Sequence, residues 1–187
     1  ERDYSYLPSG ERSKNSKIRL KDNYLKFYLK YIEPHKSKIK SKSLIVRNLD
    51  QIMNWDSVLG LQFENLILNS KSSLLPHIDM DESDVLVSSP YFQKKSTRIK
   101  ESAQVDLLIH TRRDLFFVCE FKCVKMINKS LIKEVQRKID VIPFPKRASV
   151  RPVLVYEGQL NPNDESQLRD YFDTIIHVSQ LMELTKS

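Results

Sequence analysis

The apolar positions fall into short, dense runs separated by polar breaks. Val105 to Ile109 and Leu115 to Phe121 are apolar at nearly every position, and Thr111, Arg112, Arg113 and Asp114 lie between them. This predicts two strands joined by a tight polar turn. Runs that are apolar on both alternating sets predict strands covered on both faces, as in the centre of an α/β sheet. Upstream, residues 55–69 predict a helix capped by Asp56 or Ser57. Residues 70–83 read as a loop, 84–91 as a strand and 92–100 as a second, basic, edge-like strand. Downstream, residues 123–129 read as a crossover into a helix over about 130–142, with Leu131, Val135, Ile139 and Ile142 as its buried stripe and Pro143 and Pro145 as its stop. Residues 150–156 predict a strand parallel to the one carrying Glu120, reached by a right-handed crossover. A helix to about Phe172, a strand over 174–178 and a helix over 179–186 close the pattern.

The N-terminal part reads differently. Residues 1–16 are polar, with Pro8, Ser9 and Gly10, and predict a flexible lead-in. Residues 17–22 predict a short strand. Residues 24–32 predict a helix, capped by Asp22 or Asn23, apolar nearly all round and hence packed, and ended at Glu33 and Pro34. Residues 35–43 alternate lysine with serine, either a solvated linker or a phosphate-contacting segment. Residues 44–54 predict a short amphipathic helix. The division expected is a basic N-terminal linker and helical extension over 1–54 and an α/β domain over 55–187.

Charge sharpens that division. The 187-residue chain carries a net charge of +7. Residues 1–47 hold 13 Lys or Arg against 5 Asp or Glu, and the remainder 18 against 19. A basic balance allows a nucleic-acid partner without establishing one. No apolar run approaches the roughly 20 residues of a membrane span, so no membrane is expected. Three glycines cannot build a phosphate-cradling loop. Cys119 and Cys123, four apart on one strand, are too distant to bridge. Free thiols fit a reducing, cytoplasmic setting, and the four histidines show no metal-ligand spacing.

Three charges interrupt the central apolar runs: Asp106, Glu120 and Lys122. Alternation puts Glu120 and Lys122 on one face with Phe116 and Val118, and turns Cys119 and Phe121 to the other. A buried acid beside a buried lysine costs several kcal/mol unless each has a partner or a metal. One reading is a structural ion pair at a sheet end; the other is a reactive site. On the preceding helix, Glu64 falls three or four residues from Leu61, Ile67 and Leu68, on or beside the apolar face, or else reaches solvent from its flank.

An acid on one core strand, then Glu-X-Lys on the next, resembles the PD-(D/E)XK nucleases, whose restriction-endonuclease-like fold has an α-β-β-β-α-β core with a mixed central sheet. Asp106 matches the first acid, and Glu120, Phe121 and Lys122 match Glu-X-Lys. Glu64 matches an acid that many members carry on the first helix, and Gln136 a glutamine that a subset carries on the next. Val105 stands where the eponymous proline would be. The likeness covers about residues 55–156. The run from Arg19 to Pro34, followed by the Trp55 helix, is also similar to the C-terminal region of prokaryotic AAA-type ATPases. That implies a C-terminal fragment whose partner is the ATPase domain of the same chain.

What these likenesses imply is metal-dependent hydrolysis of DNA phosphodiesters, and the residue chemistry suits it. A divalent cation beside the phosphate neutralises charge and acidifies a bound water. Mg²⁺ or Mn²⁺ prefers hard oxygen ligands. Asp106, Glu120, the Phe121 carbonyl and Glu64 are the expected metal ligands. Lys122 would orient the attacking water and counter developing charge, with Gln136 positioning either. Lys94, Lys95, Arg98, Lys100 and Lys125 are the expected backbone contacts. A homodimer is a further expectation. The alternative is a catalytically silent module of the same fold that binds DNA or regulates the ATPase.

Overall fold

The computed structural model describes residues 2–45, 55–95 and 101–183. Its centre is a five-stranded mixed sheet in the order β3–β4–β5–β6–β7. These strands are β3 (Val85–Gln93), β4 (Ala103–Thr111), β5 (Leu115–Ile127), β6 (Ser149–Leu160) and β7 (Thr174–His177). The first three are antiparallel neighbours; β6 and β7 add in parallel. The hairpin turn closes on Asp114, which takes a left-handed conformation at φ 52°, one that a short polar side chain tolerates.

Both faces of the sheet are covered, as apolar runs on both alternating sets require. On one face Leu107, Ile109, Phe117, Cys119 and Phe121 pack with Phe63, Ile67 and Leu68 of α3 (Trp55–Asn69). On the other, Phe116, Val118 and Leu154 pack with Leu131 and Val135 of α4 (Ser130–Val141) and Leu168 of α5 (Glu165–Tyr171). The short α6 (Val178–Glu183) adds Val178 and Leu181 to the α3 side.

Several local expectations give way. Residues 71–78, read as loop, form a 3₁₀ segment that buries Leu74, Leu75 and Ile78. β3 runs unbroken through Phe92 to Gln93, so no second strand begins at Phe92; residues 96–100, with Arg98 and Lys100, lie outside the described residues. The crossover over 123–129 is mostly strand, because β5 continues to Ile127 alongside β6. That long pairing passes a register shift at Val124 opposite Gly158. Gly158 has φ +118°, and a Cβ there would lie 1.9 Å from the Val124 carbonyl oxygen, so only glycine fits.

The N-terminal region departs most. The expected flexible lead-in is an antiparallel hairpin, β1 (Arg2–Tyr6) and β2 (Arg12–Ile18). The strand expected over 17–22 instead ends at Ile18. The hairpin is tied to the sheet by polar bonds. The buried Ser5 hydroxyl accepts from the Phe92 N–H at 3.0 Å, and the Asn15 amide donates to the Phe92 carbonyl at 3.3 Å. Behind it, Arg19 bonds both Asp3 and Asn65 of α3. These bonds cross the boundary expected at residue 54.

The helix expected over 24–32 is α1 (Asn23–Phe27) continued as a π-type turn over Tyr28–Ile32. It is only partly packed: Phe27 and Tyr31 set their rings against Trp55 of α3, but neither part contains a fully buried residue and Tyr24 is 72% exposed. Nor does Pro34 end it. A proline needs no N–H partner in a first turn, and here it sits at the start of a 3₁₀ turn, Glu33–His35, that leads into α2 (Lys36–Lys40). The lysine–serine stretch is therefore partly helical. The helix expected over 44–54 falls almost wholly outside the described residues.

Candidate active site where the central strands part

β4 and β5 are paired only from Leu107 opposite Cys119 to His110 opposite Phe116. Past that point β4 follows β3 to its end, while β5 follows β6 to Ile127. The two central strands thus separate as a fork, and Asp106 stands at its base. The β3–β4 register shifts just here, between Ser89 and Tyr91. Val105 joins the α4-side core although Leu107 and Ile109 belong to the other, so the alternation slips at Asp106. A bulge of this kind re-aims a side chain. The Asp106 Oδ2 accepts the Phe121 N–H at 2.8 Å, giving β5 a partner where the ladder has stopped.

Glu120 is 2% exposed and both its oxygens are held. Lys138 of α4 donates to Oε2 at 2.6 Å, and the Lys122 ammonium is 2.8 Å from Oε1. Lys122 also meets Glu134 at 3.2 Å, and Lys138 meets Glu134 at 3.1 Å. The four side chains close a ring of alternating charge: Glu120, Lys122, Glu134, Lys138. The ring sums to zero, which satisfies the condition for burying charge. Asp106 is the odd negative charge beside it. Burial first, and the charge of Glu120 second, push its carboxyl up to about 7 despite the Phe121 hydrogen bond. Burial works against charge on Lys122, but Glu120 and Glu134 outweigh it and hold the ammonium above its ordinary value. Burial likewise opposes charge on Glu134, yet Lys122 and Lys138 keep that carboxyl below its ordinary range.

Glu64 is half-buried on α3. Burial raises its carboxyl, while Lys17, Lys26 and Arg19 pull it down. Its charge reaches Asp106, but its cationic neighbours belong to the N-terminal region. Gln136 lies elsewhere: its amide donates to Asp140 at 2.7 Å and its carbonyl oxygen accepts from the Tyr171 hydroxyl at 3.1 Å. At 100° per residue it points about 200° away from Glu134 and from Lys138. Lys94, Lys95 and Lys125 are exposed.

Two members of the ring escaped the sequence reading. Lys138 lies three after Val135, seven after Leu131 and four before Ile142, on the buried stripe itself. A lysine in that position, opposite a strand with a lone buried acid, is the signal. Glu134 then follows as its i−4 partner.

Among the described residues, no three His, Cys, Asp or Glu side chains come together as a ready metal-binding group. The pair that could hold a cation is Asp106 with Glu120, both hard oxygen donors. Burial and the nearby Glu120 charge disfavour the ionised form of Asp106 more than Lys138 and the Phe121 N–H favour it; a divalent ion bound there would shift that balance toward the carboxylate. For Glu120 to take part, it must let go of one lysine. Among the described residues, no helix is long and apolar enough to cross a membrane. Comparison with family models, with curated proteins and with solved structures gives no match.

Proposed function

We propose that this chain is a Mg²⁺- or Mn²⁺-dependent nuclease domain of the PD-(D/E)XK type, hydrolysing DNA phosphodiesters, and the C-terminal part of a larger ATPase. The observation that carries the reading is that Asp106 stands where β4 and β5 part, within electrostatic reach of the buried Glu120, with Lys122 directly on Glu120. The succession α3, β3, β4, β5, α4, β6 agrees with a restriction-endonuclease-like core. In this reading Asp106 and Glu120 hold the cation. When bound, it would neutralise phosphate charge and acidify a water. Lys122 keeps its proton and counters negative charge growing on the phosphate. Lys138 is a positioning residue that orients the Glu120 carboxylate.

The closed charge ring favours one second reading. Both oxygens of Glu120 are engaged by lysines, as suits a catalytically silent module that binds DNA or an ATPase domain. A cleavage assay on plasmid and on single-stranded DNA with Mg²⁺ or Mn²⁺ separates the two. The nuclease reading expects metal-dependent cutting that Asp106→Asn and Lys122→Ala each reduce by on the order of 10³-fold, the scale of several kcal/mol of lost charge stabilisation. Absence of cutting in either metal selects the silent module. Cutting indifferent to both substitutions removes the site.

A further inference from the structure

The hairpin β1–β2, which tethers itself to β3, also walls a cleft. This cleft, about 370 Å³, is lined by Lys17 of β2, Phe92 and Lys94 at the end of β3, Asp106 at the base of the fork, and Arg137 and Lys138 of α4. Its cations come from three separate parts of the chain. The Lys17 ammonium donates to the Gln104 side chain at 2.7 Å and lies 4.1 Å over the Phe92 ring. Both interactions are at the surface, where a phosphate oxygen can replace them at little cost. Arg137 meets Glu101 at 3.7 Å with both side chains more than half exposed, another bond of small energy. Lys138 is already matched within the ring; without it, and counting Glu101, Lys17, Lys94 and Arg137 stand against Asp106 and Glu101 among the described residues.

We infer that this cleft takes a single strand of DNA and that the N-terminal hairpin is its second wall. The inference rests on the nuclease reading for what happens at Asp106, but the binding chemistry is independent of it. A basic groove containing an aromatic ring is the arrangement that holds unpaired nucleic acid, with phosphates on the cations and a base against the ring. The volume lies near the lower end of the range for small-molecule pockets, roughly 300–1,000 Å³, enough for about one nucleotide and too little for paired strands. Asp106 is mostly buried and lines the same cleft as Lys17 and Arg137, so a phosphate held by those cations lies in the cleft that Asp106 borders. The β1–β2 hairpin is thereby part of the substrate site rather than a lead-in to it.

Fluorescence anisotropy of a labelled single-stranded oligonucleotide and its matched duplex tests this, in EDTA so that binding is read without turnover. The single strand is expected to bind at least tenfold tighter than the duplex. Lys17→Ala, Lys94→Ala and Arg137→Ala should each weaken it about 3- to 10-fold and lower the salt slope by about 0.7 for each phosphate left without its cation. Lys146→Ala, an exposed lysine on the turn side of the sheet, should change nothing. Equal or tighter binding of duplex, or indifference to all three cleft substitutions, overturns the inference even if the protein proves to be a nuclease. Binding that follows the three substitutions in a protein that cuts nothing supports the cleft and removes the nuclease reading.

Discussion

The two ends of the β4–β5 hairpin both bury polar groups, with opposite consequences. At the turn end His110 stacks on Phe116, ring centres 4.1 Å apart and nearly parallel, and among the described residues neither ring nitrogen is hydrogen-bonded. Asp114 stands 3.5 Å from Nε2, beyond a good hydrogen bond, and is largely exposed. The Thr111 hydroxyl next to it is also buried, with no hydrogen-bond partner among the described residues. At the fork end Glu120 is more deeply buried than His110, yet every oxygen is satisfied, and the charge left over sits on Asp106 beside a cleft. Burial of a polar residue does not therefore mark a site. At the turn end the His110 ring lies flat against Phe116, a packing contact. At the fork end the strands have separated, a bulge interrupts the β3–β4 register beside Asp106, and that acid lines a cleft to which three parts of the chain supply cations.

The strongest way to break this contrast is to open the ring. Glu120→Ala leaves Lys138 with Glu134 alone, and removing one partner of a buried pair costs about 3 kcal/mol. Lys138→Met, which keeps the packing and leaves Glu120 its bond to Lys122, should cost less, about 1–2 kcal/mol. Urea unfolding of both variants measures the difference; equal, small losses would mean that the ring does not support the fold. The acid left over gives the next test. Asp106 has its carboxyl raised from 3.8 to about 7, so the folded protein keeps a proton that the unfolded chain has already released. Stability from this group is lost as pH rises from about 4 through 7. In EDTA the wild type should lose stability relative to Asp106→Asn as pH rises from about 4 to about 7, and the difference should level off above that. A difference that stays flat or changes in the other direction would remove the buried, raised acid.

How much of this could be read from the residues differs sharply by region. The central hairpin, both helical layers and the parallel β6 announce themselves because apolar runs and stripes are the direct record of burial. The Glu120–Lys122 pair is legible because charges interrupt such a run. The β1–β2 hairpin left no such record. It is held by Ser5, Asn15 and Arg19 through polar bonds to Phe92, Asp3 and Asn65, and those residue types look the same in a loop. The helix over 23–32 differs in the other direction: its tyrosines and leucines promised burial all round, whereas among the described residues it packs on one side, Phe27 and Tyr31 against Trp55, with no residue fully buried. Lys138 was hidden by its charge: a search for apolar stripes passes over the lysine that completes one.

Smaller effects sharpen the contrast from the turn end. If His110 is only packing, His110→Leu removes two unpaired buried nitrogens and should be neutral or stabilising by up to about 1 kcal/mol, with cleavage unchanged. A loss above about 2 kcal/mol in urea unfolding would show that the ring has a partner after all.

The smallest expected effect bears on the fork end itself. If the charge ring defines the reactive face of α4, then that face carries Glu134 and Lys138, and Gln136 is excluded by helix geometry. Its amide group joins Asp140 to Tyr171, linking α4 to α5 on the surface. Gln136→Ala breaks two exposed hydrogen bonds and should change stability by no more than about 0.5 kcal/mol. Cleavage should fall by less than about twofold, because a tenfold change would require roughly 1.4 kcal/mol of transition-state stabilisation. Glu134→Ala is the matched comparison, two residues away on the same helix. It removes one corner of the ring, frees Lys122 from its second carboxylate, and should change cleavage and its pH profile together. If Gln136→Ala proves the more damaging of the two, α4 must turn by about half a revolution when substrate binds. The ring of four charges would then be the resting arrangement of the site rather than its working one.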